Sequence, residues 1–187
     1  MIEKSFFELM DSLGPFEKKP ELAVGVSGGV DSMFLCYLSN KWVQMKRGKL
    51  TALIVDHGLR QNSKIECKQV QQFLNKKKIS NHYFKWNPTK SFKIGSQRDA
   101  REYRYKIIGD WCYKKNILHL LIAHHFDDQK ETFFIRLNSN SNAYGLSCMS
   151  KITFKKNIRL LRPLLEFNKS KIKSYLIKEK ISWIEDQ

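Results

Sequence analysis

Five short apolar runs, each followed by a longer mixed segment, limit what this chain can fold into. "ELAVGV" (21–26) reads as a buried strand and "DSMFLCYLSNKW" behind it as a helix. "LTALIVDH" (50–57) is a second strand that ends in a carboxylate and an imidazole. The S-x-x-E pattern of "SKIE" (63–66) predicts a capping box opening a helix that runs to about Lys78. "HYFKW" (82–86) is a third strand, closed by Pro88. Ser96 to about Lys115 predicts a helix with Ala100, Ile107, Ile108 and Trp111 on its apolar side. "LHLLIAHH" (118–125) is a fourth strand, with "DDQKETFFIRL" as the helix after it. "IRLLRPLL" (158–165) and a helix capped by Asn168, with Ile172, Tyr175 and Leu176 on one face, complete the alternation. This order predicts an α/β fold: an open, mostly parallel sheet with helices on both faces. Ligands bind such sheets at the carboxyl ends of the strands, where the polar clusters of this chain fall.

At 187 residues the chain suits one domain with a substantial core, expected to span 1–187, and a second full domain would be cramped. No apolar run approaches the roughly 20 residues that cross a bilayer. The N-terminus lacks a signal-peptide core, so a cytoplasmic setting is expected, or the plastid stroma if the chain is plastid-encoded. Cys36, Cys67, Cys112 and Cys148 form no C-x-x-C pair and are expected to be reduced and mostly buried. The formal charge is +16, from 34 basic against 18 acidic residues. Two readings fit it. A polyanionic partner would be held by such a surface, while an AT-rich genome would also load the chain with lysine, which makes up 26 of the 34 basic residues.

The most informative stretch is "VGVSGGVDSM" (24–33). Strand, S-G-G-x-D-S, helix is an anion site on physical grounds. The glycines let backbone N–H groups approach a phosphate, and the helix N-terminus adds positive potential. Asp31 would repel a bare phosphate, which points to Mg²⁺ between its carboxylate and the ligand. The lysine of G-x-x-x-x-G-K-[ST] is absent. A loop without that grip on the terminal phosphates suits pyrophosphate as a leaving group, and hence transfer of AMP. The competing reading is an ordinary tight turn capping a helix.

"SGGVDS" resembles the signature of the PP-loop ATP pyrophosphatases, which implies a Rossmann-like fold of PP-loop ATPase type. "VDHGLRQNSKIE" (55–66), "AREYRY" (100–105), "AHHFDDQKET" (123–132), "GLSCM" (145–149) and "RLLRPLL" (159–165) resemble, in order and spacing, the motifs of the tRNA(Ile)-lysidine synthetase family. That resemblance implies ATP and Mg²⁺ as co-substrate and cofactor, with free lysine and an isoleucine tRNA carrying a CAU anticodon as substrates. The implied reaction has two steps. The O2 atom of the first anticodon cytidine attacks the α-phosphate and releases pyrophosphate; the lysine amine then attacks C2 and expels AMP, leaving lysidine.

Site residues follow from the matching positions. Ser27, Gly28, Gly29, Val30, Asp31 and Ser32 are expected to bind ATP, with Asp31 also holding the metal. Asp56 and His57 are expected at the adenine pocket or the metal. Arg101 and Arg104, i and i+3 on one helix, can reach phosphate together, or form a solvated basic face. Asp128 and Glu131 share a helix face that can hold the ammonium groups of lysine, or Asp127 and Asp128 simply favour a helix N-terminus. His124 and His125 end a strand, so at most one is expected to face the site, and position favours His124 as the catalytic one. Arg60 and Arg136 are expected tRNA contacts, and Arg159 and Arg162 suit either contact with substrate or pairing with nearby acids. The chain departs from the family in two places. Residues 138–150 are polar and neutral, with Ser139, Asn140, Asn142 and Cys148 where the family has an arginine and glycines. The chain also ends at "WIEDQ", so the family's further RNA-binding domains are expected to be absent. The alternatives are another PP-loop tRNA modifier, such as a thiolase that would use paired cysteines, a non-catalytic RNA-binding remnant, and a small-molecule amidating ligase.

Overall fold

In the computed structural model the described residues are 2–56, 63–85, 97–139, 147–155 and 157–185, without the side chains of 97–101. They form α1 (Ile2–Ser12), β1 (Glu21–Val26), α2 (Val30–Met45), β2 (Lys49–Asp56), α3 (Ser63–Lys76) and β3 (Ser80–Lys85). Then come α4 (Gln97–Lys114), β4 (His119–Leu121), α5 (Phe126–Asn138), β5 (Ile152–Lys155), β6 (Ile158–Leu161) and α6 (Lys169–Lys178). Among the described residues the strands make one six-stranded sheet in the order β3-β2-β1-β4-β6-β5. All neighbouring pairs are parallel except β5 with β6. The expected open, mostly parallel α/β sheet is therefore present.

The inner strands β1, β2, β4 and β6 are mostly apolar and buried because both faces are covered, whereas β3 and β5 at the edges are not. Leu22, Val24 and Val26 of β1 point into one core with residues of α1, α2, α3 and α6, including Phe6, Phe34, Leu74 and Ile172. Ala23, alternating to the other face, joins Leu53, Leu120 and Leu160 under Ile108 and Cys112 of α4. Ile107 and Trp111 pack at the margin of that second core, as the periodicity of α4 predicts.

The structure corrects several boundaries. The fourth strand stops at Leu121, well short of His125, because only three residues of β4 find partners on each of β1 and β6. The strand read over 158–165 ends at Leu161, two residues before Pro163, whose missing N–H cannot extend the ladder. Ser63 is already the first residue of α3, so it does not precede that helix as a cap. Two elements have no counterpart in the sequence reading, α1 and the edge strand β5.

The chain runs outward from β1 through β2 to β3, then crosses back to add β4 and β6 on the other side of β1. The connections diverge between β1 and β4, which opens a crevice at their carboxyl ends. Buried Arg159 fastens the chain entering β1. Its guanidinium donates to the carbonyls of Leu13, Gly14 and Pro15, so its partners are backbone oxygens and not acids.

Candidate active site

The crevice is a cleft of about 770 Å³, within the size range of small-molecule sites. Its floor is the loop after β1. Gly28 has φ +93°, a conformation that a side chain strains, and the space where its Cβ would stand is filled. Ser32 is buried and ties the loop together: its hydroxyl donates to the Gly29 carbonyl at 2.9 Å and accepts from the Ser27 N–H and hydroxyl, both at 3.2 Å. Gly29 is the N-cap of α2 and supplies no side-chain cap. The first-turn amides of α2 therefore keep their capacity to bind an anion, which disfavours the reading of this loop as a capped turn.

Asp31 stands in that first turn. Burial raises its carboxyl above the ordinary carboxylate range, partly opposed by His125 and Lys169. Its Oδ1 is buried without a hydrogen-bond partner. An orphaned carboxylate oxygen beside an anion-binding loop fits a divalent cation shared with phosphate. Among the described residues no group of three or more His, Cys, Asp or Glu could hold a metal alone. Mg²⁺ suits such a site, because it is commonly held by one or two carboxylates together with substrate phosphates and water.

The facing wall is the start of α5. His125 is its N-cap and accepts the Asp127 N–H on Nδ1 at 3.1 Å, while Asp128 Oδ2 accepts the His125 N–H at 2.7 Å. With Nδ1 accepting, the neutral ring carries its proton on Nε2. That atom lies 3.5 Å from Asp31 Oδ2 and 3.7 Å from Asp128 Oδ2. His124 also lines the cleft and accepts from Arg162 Nε on Nδ1 at 3.3 Å. Both histidines therefore border the cleft, against the expectation of one. The alternation rule does not apply, because β4 has ended and the chain is turning into a helix cap. His125, and not His124, approaches Asp31.

Asp56 ends β2 at the cleft, buried, with Oδ2 accepting the Tyr83 hydroxyl at 2.8 Å. Burial, and then that bond, push the Tyr83 hydroxyl up to about 12. Arg104 lines the cleft from α4. Asp128 lines it too, while Glu131, one turn further along α5, is exposed and is not among the lining residues. Arg136 donates to the Cys148 carbonyl at 3.3 Å, and Arg162 to the Ser150 carbonyl and Thr153 hydroxyl at 2.8 and 2.9 Å. His57, Arg60 and the side chain of Arg101 lie outside the described residues, as do Asn140 and Asn142. Glu66, Lys169 and Ile184 also line the cleft and were not anticipated. The periodicity of their segments marks none of them. None of the four cysteines is in a disulfide, and Cys36, Cys67 and Cys112 are buried; burial pushes the Cys67 thiol up to about 11.

The PP-loop domain family profile matches residues 1–187. The chain is 38% identical over 185 residues to the tRNA(Ile)-lysidine synthase of Orientia tsutsugamushi, covering 99% of this chain and 42% of that protein. It is 39% identical over 170 residues to the enzyme of the same name from Wolbachia pipientis wMel, covering 89% of this chain and 39% of that one. The chain thus spans about two fifths of the length of these relatives. Among solved structures, the U34-tRNA thiolase NcsA of Methanococcus maripaludis, with its [4Fe-4S] cluster, superposes with a TM-score of 0.82 at 16% identity, over 100% of this chain and 65% of that one. An NH3-dependent NAD synthetase from Campylobacter jejuni gives 0.58 at 12% identity, over 96% and 72%. At such identities these two likenesses speak for the fold alone.

Proposed function

The chain belongs to the PP-loop domain family, which implies ATP use, and from that premise we propose that it is the catalytic part of a tRNA(Ile)-lysidine synthetase. The observation that carries this reading is 38% identity to such a synthase across 99% of the chain. The polar groups at the mouth of the sheet suit the chemistry. The substrates in this reading are ATP, free lysine and an isoleucine tRNA with a CAU anticodon.

In the first step the base oxygen attacks the α-phosphorus and pyrophosphate leaves. The loop from Ser27 to Ser32 and the N-terminus of α2 receive the departing diphosphate, whose charge their amides stabilise. Asp31 would hold Mg²⁺, which when bound neutralises charge on the phosphates. His125 Nε2 stands 3.5 Å from the Asp31 carboxylate and favours its charged form, and Arg104 faces the same space with a permanent positive charge. In the second step the lysine amine attacks C2 and AMP departs. Asp128 offers a carboxylate to a lysine ammonium at the cleft, with Glu131 on the same helix face and further out. Arg60, Arg136 and Arg101 remain proposed contacts to tRNA or phosphate on sequence grounds.

A thiolase reading is weaker, since its chemistry leans on paired cysteines and the chain has no C-x-x-C. The direct test is incorporation of labelled lysine into an isoleucine tRNA transcript with a CAU anticodon, with ATP and Mg²⁺, beside a transcript whose first anticodon base is U. Label in the CAU transcript alone is expected. Equal labelling of both, or of neither while ATP turns over on another substrate, would reject the assignment.

A further inference from the structure

The segment after α6, residues 181–185, has no regular structure, yet it crosses directly over the phosphate loop. Ile181 is buried and donates its N–H to the Leu176 carbonyl at 2.9 Å, which starts the segment from a fixed point. Trp183 and Glu185 both meet Lys173 of α6, the first through a cation–π contact at 5.6 Å and the second through an ion pair at 3.2 Å. Between them, the Ile184 N–H donates to the Gly28 carbonyl at 2.9 Å. A Cβ built on Gly28 would stand 2.7 Å from Ile184 Cδ1 and 2.8 Å from Val70 Cγ2, so these two side chains close over the glycine from α3 and from the strap.

The consequence follows from peptide geometry. The carbonyl of Gly28 and the N–H of Gly29 belong to one planar unit and point in opposite directions. Holding the carbonyl against Ile184 therefore aims the Gly29 N–H. Within the loop that N–H makes one long hydrogen bond, 3.4 Å to Ser27 Oγ, so the 2.9 Å bond from Ile184 is the tighter constraint on the peptide. Gly28 adds the softest backbone of the loop at a positive φ, where nothing intrinsic selects one orientation of the following peptide.

We infer that Ile184 is a positioning residue for the phosphate loop: its N–H and side chain lock the peptide between Gly28 and Gly29 in the orientation that receives an anion. This goes beyond the proposed reaction, because the lock concerns the loop whatever nucleophile attacks.

The test compares wild type with Ile184→Pro, which removes the N–H donated to Gly28, with Ile184→Ala, which removes the side chain over the glycine, and with the conservative Ile184→Val. It reads amide hydrogen exchange of the peptide covering 24–33, ATP affinity and Tm. In Ile184→Ala the loop should exchange faster by about tenfold while β1 and α2 beyond Met33 stay protected, and ATP should bind about tenfold more weakly. Ile184→Val should restore most of both. Loop exchange unchanged in both Ile184→Ala and Ile184→Pro, even with a lowered Tm, would overturn the inference. Faster loop exchange in a protein whose wild type binds no ATP would uphold the lock and reject the ATP reading instead.

Discussion

Asp31 combines costs and uses that a turn residue would not. One oxygen of its half-buried carboxyl is buried and unpartnered, and desolvation raises its pKa. A raised carboxyl binds more protons in the native than in the unfolded state between the ordinary value and the raised one, so this group lowers stability as pH rises through that window. Replacing the charge should relieve the strain. Asp31→Asn is expected to raise Tm at pH 7 by roughly 2–4 °C while cutting tRNA-dependent AMP formation by at least about 100-fold. RNA retention on a filter should change little. A variant that is destabilised, or one that loses RNA binding in step with AMP formation, would remove Asp31 from its assigned role. The loop around it was readable from S-G-G-x-D-S, because the spacing of glycines, acid and serines carries its own chemistry. The choice between His124 and His125 was not. It depends on where β4 stops, and that is set by pairing with β1 and β6 and not by the residues themselves.

At the level of elements, Arg159 shows how a basic residue in a basic chain can serve the fold. Its buried guanidinium collects three carbonyls of the turn that leads from α1 towards β1, and β1 carries the phosphate loop. Arg159→Ala would leave those carbonyls without their donor and is expected to cost about 3 kcal/mol in urea unfolding, with RNA binding unchanged. Unaltered stability with weakened RNA binding would make Arg159 a surface contact instead. The parallel strands were legible as apolar runs because both faces of the sheet are covered. β5 was obscured by the lysines that flank "ITF", Lys151 and Lys155, a composition common on edge strands. The N-terminal helix had a signal in Phe6, Met10 and Leu13 at helical spacing, which the mixture with acids and lysines concealed. Lys169 and Ile184 reach the cleft only because α6 packs against α2, and no local pattern announces that.

Across the whole molecule, the sheet brings the phosphate loop, the cap of α5 and the face of α4 to one crevice from distant parts of the chain. Outside it, α5 buries none of its residues, and Phe133, Phe134, Ile135 and Leu137 are exposed. No helix among the described residues is long and apolar enough to cross a membrane. The +16 charge agrees with an RNA substrate without selecting one. In the proposed reaction this crevice would adenylate a base before lysine attacks. That step is tested most directly with a CAU transcript carrying ¹⁸O at O2 of the first anticodon cytidine. The AMP released after lysine attack is expected to contain the label, since the base oxygen becomes a phosphate oxygen. Unlabelled AMP formed together with lysidine would mean that the base oxygen never met the α-phosphorus, and would contradict it.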